Sequence, residues 1–341
     1  MAERPRAREV GATEVSRPLA NSRRRLSRRG FLQTAAGSAA AACLAGVARC
    51  PCTALGAPVD KQPVPHGGAQ EAKPKLPERI LGRTKLKLTV VGYGSEFIAD
   101  EGLVMHILGK GVKFIDAAPL YQEGNAERKL ASILKKAGKD VIVATKCHTL
   151  PDGSAPKEKF LTSFNESCER MQVDGVDLFL VHDCRTAEAV NSPGAREAFE
   201  ELRNAGRVKF LGMSTHLRQA DCVRAATELG WYDFVYVAWN FMSPESYTDA
   251  MKAAHDKGLG IVTMKTCKSL TPGRDYWPRA REEHLARLGE GDPFVKSIQW
   301  TLSHDFVTAT LMSMQNYDQA DTDIGAATLQ TTGGLGSTLI K

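Results

Sequence analysis

The sequence predicts an α/β protein, a (β/α)8 TIM barrel preceded by a signal peptide and a linker. Three observations carry this expectation. Eight short runs of β-branched and apolar residues recur between positions 88 and 310, amphipathic helix-length segments separate them, and the eight units fit within the size usual for such a barrel. No Gly-x-Gly-x-x-Gly follows the first run, which argues against an open dinucleotide-binding sheet.

From the N-terminus, residues 1–57 hold ten Arg and three Glu, a balance of +7, so the rest of this +6 chain is at −1. The basic excess is local, and no nucleic-acid partner is expected for the remainder. Ser27-Arg28-Arg29-Gly30-Phe31-Leu32-Gln33 sets a twin arginine before Phe-Leu, and no charged residue occurs from Thr34 to Val47. The segment resembles twin-arginine translocation signals and is less apolar than a membrane span. That resemblance implies export in the folded state, the translocation machinery as a partner, and a periplasmic or membrane-associated location. Cleavage is expected after Leu55-Gly56-Ala57; the alternative is an Arg-rich tail that binds anionic surfaces. Residues 58–77, with Pro58, Pro63, Pro65, Gly67, Gly68, Pro74 and Pro77, read as a flexible linker, 78–330 as the barrel, and the Gly-rich 331–341 as a mobile tail.

The eight runs are Leu88-Thr89-Val90-Val91, Val112-Lys113-Phe114-Ile115, Val141-Ile142-Val143-Ala144, Leu178-Phe179-Leu180-Val181, Val208-Lys209-Phe210-Leu211, Phe234-Val235-Tyr236-Val237, Ile261-Val262-Thr263-Met264 and Val307-Thr308-Ala309-Thr310. Between them, sets such as Ala126, Leu130, Ile133, Leu134 and Ala137 repeat at three- and four-residue spacing, and Gly138, Gly206, Gly230 and Gly258 end segments. Of eight cysteines, Cys43, Cys50 and Cys52 lie in the leader; the other five match no disulfide framework or Cys-x-x-Cys pair.

In a barrel of this kind the chemistry sits where strands end. Asp116 follows the second run with Tyr121 five residues on, Lys146 ends the third strand, and His182 ends the fourth. These four side chains are expected to converge on one mouth, where a neighbouring ammonium would lower the pKa of a phenol.

Phe114-Ile115-Asp116-Ala117-Ala118-Pro119-Leu120-Tyr121, with Gly124 and Glu127, resembles the aldo-keto reductase signature. Ala144-Thr145-Lys146, Val176 to His182, Gly206 to Ser214 and Gly258 to Val262 match later family blocks in order, so the resemblance spans about residues 79–325. It implies an NADP- or NAD-dependent oxidoreductase acting on a small-molecule carbonyl substrate. Tyr121 would be the acid/base, Lys146 its tuner, Asp116 the partner of Lys146, and His182 the group that orients the carbonyl.

The resemblance also implies cofactor positions. Ser214, Thr215 and Tyr236 fall where the family holds the carboxamide, and only the Ser is retained. Met264 and Lys265 stand where a stacking aromatic is common. Ser313, Gln315 and Gln319 lie in the loop after the eighth strand, which holds no cation for a 2′-phosphate. These departures keep NAD beside NADP, and beside the enzyme a non-catalytic cofactor-binding barrel serving as sensor or interaction module. A metal- or quinone-linked periplasmic redox protein is the third reading, suggested by Cys147, His148, Cys184, His216 and Cys267 near strand ends, although their spacing forms no ligand signature and no metal is expected.

Overall fold

A computed structural model describes residues 75–271 and 279–332. The chain divides into Met1–Gly68 and Ala69–Lys341. The first unit, and with it the expected signal peptide, lies outside the described residues. Among the described residues no helix is long and apolar enough to cross a membrane.

A two-stranded antiparallel hairpin, β1 (Glu78–Ile80) and β2 (Lys87–Thr89), precedes the barrel. The barrel strands are β3 (Val91–Gly94), β4 (Phe114–Asp116), β5 (Ile142–His148), β6 (Val176–His182), β7 (Val208–Thr215), β8 (Phe234–Ala238), β9 (Gly260–Met264) and β10 (Ala309–Met312). All pair in parallel, and β10 closes on β3, so the sheet has no edge. The helices are α1 (Glu101–Gly109), α2 (Asn125–Ala137), α3 (Lys157–Met171), α4 (Ala187–Val190), α5 (Pro193–Asn204), α6 (Gln219–Leu229), α7 (Glu245–Asp256), α8 (Glu282–Leu285), α9 (Pro293–Leu302) and α10 (Tyr317–Thr332).

Three sequence expectations shift here. The first run straddles two elements: Leu88 and Thr89 belong to the hairpin, and the first barrel strand opens at Val91. The linker expected to reach 77 ends earlier, because Leu76 is buried in the core and the Pro77 carbonyl accepts from the Val90 N–H. The helix α10 runs to Thr332, two residues into the expected tail, and 333–341 lie outside the described residues.

Side-chain parity separates two apolar layers. Phe114, Ala144, Leu178, Leu180, Phe234, Tyr236, Val262, Ala309 and Leu311 fill the barrel interior. Ile115, Val143, Phe179, Val181, Leu211, Val235 and Ile261 face outward against the helices, meeting residues such as Leu130, Phe164 and Val223. The hairpin plugs the N-terminal end of the barrel with Leu81 and Leu88, both fully buried in the interior cluster. Arg79 fastens it by donating to the carbonyls of Leu302, His304 and Val307 at 2.7, 3.1 and 2.6 Å. Gly82, at φ +49°, lies so close to the backbone of Gly258 and Gly260 that a side chain there would collide with it. Ligands therefore reach the interior from the C-terminal end.

Candidate active site

The parity that builds the barrel also aims the polar residues. Phe114, Ala144 and Leu180 point inward, so two residues later Asp116, Lys146 and His182 point inward at the C-terminal rim. Tyr121 reaches the same place from the 3₁₀ turn Tyr121–Gly124, in which Gln122 and Glu123 adopt left-handed backbone at φ 52° and 56°. Such strain at two non-Gly residues persists where surroundings enforce it. Gln122 Nε2 donates to the carbonyls of Glu96 and Ile98, tying this turn to the loop after β3.

The Lys146 ammonium is 1% exposed and has a partner for each of its three protons. It donates to Asp116 Oδ2 at 2.6 Å, to the Ala117 carbonyl at 2.7 Å and to Tyr121 Oη at 3.1 Å. The Tyr121 hydroxyl also lies 3.3 Å from Asp116 Oδ2. Behind Lys146, Thr145 faces outward and donates to the buried Glu127 carboxylate at 2.8 Å, which also accepts from Arg170 Nε at 2.7 Å.

Burial dominates the electrostatics. It pushes Asp116 up against the opposing pull of Lys146, and pushes Lys146 down against the support of Asp116. Tyr121 moves well above the ordinary phenol value, through burial first and then the carboxylates of Asp116 and Glu96. The expected lowering by Lys146 is thus reversed in the protein alone, because desolvation and two carboxylates outweigh one cation. Tyr121 is consequently protonated, with the Lys146 Nζ 3.1 Å from its oxygen.

His182 sits well below the ordinary imidazole value, through burial and then the charges of Lys146, His148 and His216. It is a neutral imidazole whose ring lies 6.2 Å from that of Tyr121, and its Nδ1 is buried without a partner. His148, two residues beyond Lys146 and the register partner of His182, packs 4.3 Å from it between ring centroids. Sequence reasoning placed His148 only in a metal cluster; inward parity from Lys146 was the signal that assigns it to the mouth. Glu96, near the rim beside Phe97, was missed altogether.

A cavity of about 580 Å³ opens between the ends of β9 and β10. Ser313, Gln315 and Gln319 line it, with Lys265, Lys268, Phe97, Asp318 and Asp323. The position after strands seven and eight and the volume suit a dinucleotide segment. The other implied cofactor residues sit elsewhere. Ser214 points inward, and its Oγ accepts from the Asp183 N–H at 2.9 Å. Thr215, one residue on, has outward parity and donates to the Leu217 carbonyl at 2.8 Å, so its hydroxyl is turned away from the mouth. Tyr236 is fully buried among interior residues with its hydroxyl unpartnered, and Met264 packs in the same cluster. Asn240 Nδ2 holds the turn after β9 by donating to the Lys265 carbonyl at 3.1 Å.

The thiols of the Cys/His rim do not converge with its imidazoles. Cys147 has outward parity, its thiol directed at the carbonyls of His148 and Lys159, and the Cys184 thiol is directed at Val181 and Ala189. Among the described residues no group of three or more His, Cys, Asp or Glu is arranged to hold a metal ion.

Residues 99–332 match the family model for the aldo/keto reductase family. The chain is 25% identical over 284 residues to L-galactose dehydrogenase of Arabidopsis thaliana, covering 74% of this chain and 89% of that one. It is 24% identical over 190 residues to the NADH-specific methylglyoxal reductase of Escherichia coli, covering 49% of this chain and 57% of that one. Among solved structures, the fold matches an aldo-keto reductase from Bacillus halodurans in its holo form with a TM-score of 0.63 at 21% identity, over 74% of this chain and 90% of that one.

Proposed function

The chain belongs to the aldo/keto reductase family, and from that premise we propose that its barrel reduces a small hydroxylated aldehyde or ketone with NADH in preference to NADPH. Its coarser activity is that of an NAD(P)-dependent oxidoreductase, interconverting a carbonyl compound and an alcohol. The nicotinamide supplies hydride; the protein's part is to place the carbonyl and manage one proton.

The observation that carries the mechanism is the triply satisfied Lys146 ammonium next to Tyr121. Asp116 and Ala117 fix two of its protons, so the third points at the Tyr121 oxygen. As charge develops on the substrate oxygen, Tyr121 donates its proton, and the adjacent cation stabilises the resulting phenolate. Neutral His182 donates a hydrogen bond to the same oxygen and sets its orientation. The Tyr121→Phe variant is expected to lose about 10²–10⁴ in carbonyl reduction while still binding cofactor. Retention of the wild-type rate would refute the assignment.

Cofactor preference follows from charge. The loop from Met312 to Gln319 carries no Lys or Arg, and Asp318 lines the cavity beside Gln315 and Gln319. A 2′-phosphate dianion there would face a carboxylate with no cation from that loop, whereas a 2′-hydroxyl can donate to it. The kcat/KM ratio is expected to favour NADH, and Asp318→Arg to shift it toward NADPH; a wild-type preference for NADPH would overturn this. A hydroxylated substrate is supported by the polar mouth, where His148 packs on His182 and Asp183 acts on both His148 and His216, and by the sugar named for the Arabidopsis relative.

The twin arginine and the uncharged stretch after it support export through the twin-arginine pathway to the periplasm or its membrane surface. Replacing Arg28 and Arg29 by Lys together is expected to leave the protein in the cytoplasm, as read by fractionation; unchanged export would exclude the route.

A further inference from the structure

Glu96 and Lys265 come together across the barrel mouth. Glu96 sits in the 3₁₀ turn Ser95–Phe97 after β3, and Lys265 follows β9. In the closed sheet β10 lies between those strands, so the contact from Lys265 Nζ to Glu96 Oε2, at 3.8 Å, spans the end of β10. Leu311, Met312 and Ser313 at that end line the cavity, as do Phe97 and Lys265. The ion pair therefore bridges the end of β10 at the border of this cavity.

Both ends are held. Ser95 Oγ donates to the Asp116 carbonyl at 2.9 Å, and Gln122 Nε2 donates to the Glu96 carbonyl at 3.2 Å. Lys265 adopts left-handed backbone at φ +64°, and its carbonyl accepts from Asn240 Nδ2 and from the Lys268 N–H. A strained non-Gly residue with its carbonyl doubly engaged keeps the side chain aimed at one region.

Among the described residues, Lys265 and Lys268 are the cations lining the cavity, against Asp292, Asp318 and Asp323. A dinucleotide brings a pyrophosphate dianion into this acidic surrounding, and Lys265 is already engaged by Glu96. We infer that Glu96 is an internal competitor for Lys265, which the pyrophosphate must displace, so that Glu96 weakens dinucleotide binding and speeds its release. The inference rests on the nicotinamide reading of the cavity.

The test is titration of NADH binding by fluorescence in wild type, Glu96→Gln, Lys265→Met and the double variant, at low and high salt. Both side chains are partly exposed, so the variants should fold. Glu96→Gln is expected to lower the dissociation constant about two- to fivefold, the scale of an exposed ion pair, with a smaller gain at high salt. In the Lys265→Met background the same change should give a smaller gain. Equal tightening in both backgrounds would mean direct repulsion and overturn the competition; unchanged or weaker binding by Glu96→Gln would overturn it as well. If wild type and every variant failed to bind NADH or NADPH, the nicotinamide reading itself would fall, taking this inference with it.

Discussion

Lys146 and Asp116 are each close to fully buried, so their pairing is a stability matter as much as a catalytic one. Removing one partner leaves the other charge without compensation, and Lys146→Met is expected to destabilise the fold by about 3–5 kcal/mol, measurable by denaturant titration. Two further groups give opposite pH dependences. Burial and the neighbouring Asp292 raise Asp323 from an ordinary 3.8 to about 7. The native state thus keeps a proton the unfolded chain has released, so this contribution is full below about pH 4 and is lost as pH rises through 7. Asp323→Asn should therefore melt higher relative to wild type at pH 8 than at pH 5, by an amount on the order of a few kcal/mol in stability. His216 is lowered from 6.5 to about 4 by burial. It is neutral in the fold, so its contribution is full above about 6.5 and is lost as pH falls toward 4; His216→Gln should flatten the acid side of the melting profile. Asp116, Lys146 and His182 were legible in the sequence because each lies at or near the end of a strand run, and Tyr121 because it stands five residues past Asp116 in the family signature. The upward direction at Tyr121 was not, since desolvation depends on depth and on Glu96, a neighbour brought near by the fold.

At the scale of the elements, alternation decides what the mouth contains. His182 and His148 face inward because Leu180 and Lys146 do, whereas Thr215 and Cys147 fall on the opposite parity and serve the outer layer. Parity carried through the last residues of β7 separates Ser214 from Thr215 and is already present in the sequence. The hairpin was harder to see. Leu88-Thr89-Val90-Val91 is continuous in composition, and only the antiparallel pairing of Glu78–Ile80 with Lys87–Thr89 splits it. That hairpin depends on Gly82, whose added side chain would meet backbone rather than a yielding side chain. Gly82→Ala is expected to cost about 1–3 kcal/mol, seen as a lower melting temperature with carbonyl reduction intact in the folded fraction.

For the whole molecule, the order of eight strands and their closure were accessible from repeat number and length, because parallel strands buried on both faces need helices between them. The cleft proposed for the cofactor was accessible only in part. Its residues come from the turn after β3, from the ends of β9 and β10 and from α9 and α10, and their shared volume is a property of the packed barrel. The five thiols of the described chain show a consequence of that packing. Cys147, Cys168, Cys184 and Cys222 are buried and Cys267 half-buried, and all are free. Burial raises each above the ordinary thiol value, Cys168 to about 11. Thiolate is the form that oxidises and exchanges, and here it is suppressed. The barrel should therefore melt at the same temperature in glutathione buffers poised oxidising or reducing, a molecule that performs redox chemistry on others while remaining indifferent to the redox state of its surroundings.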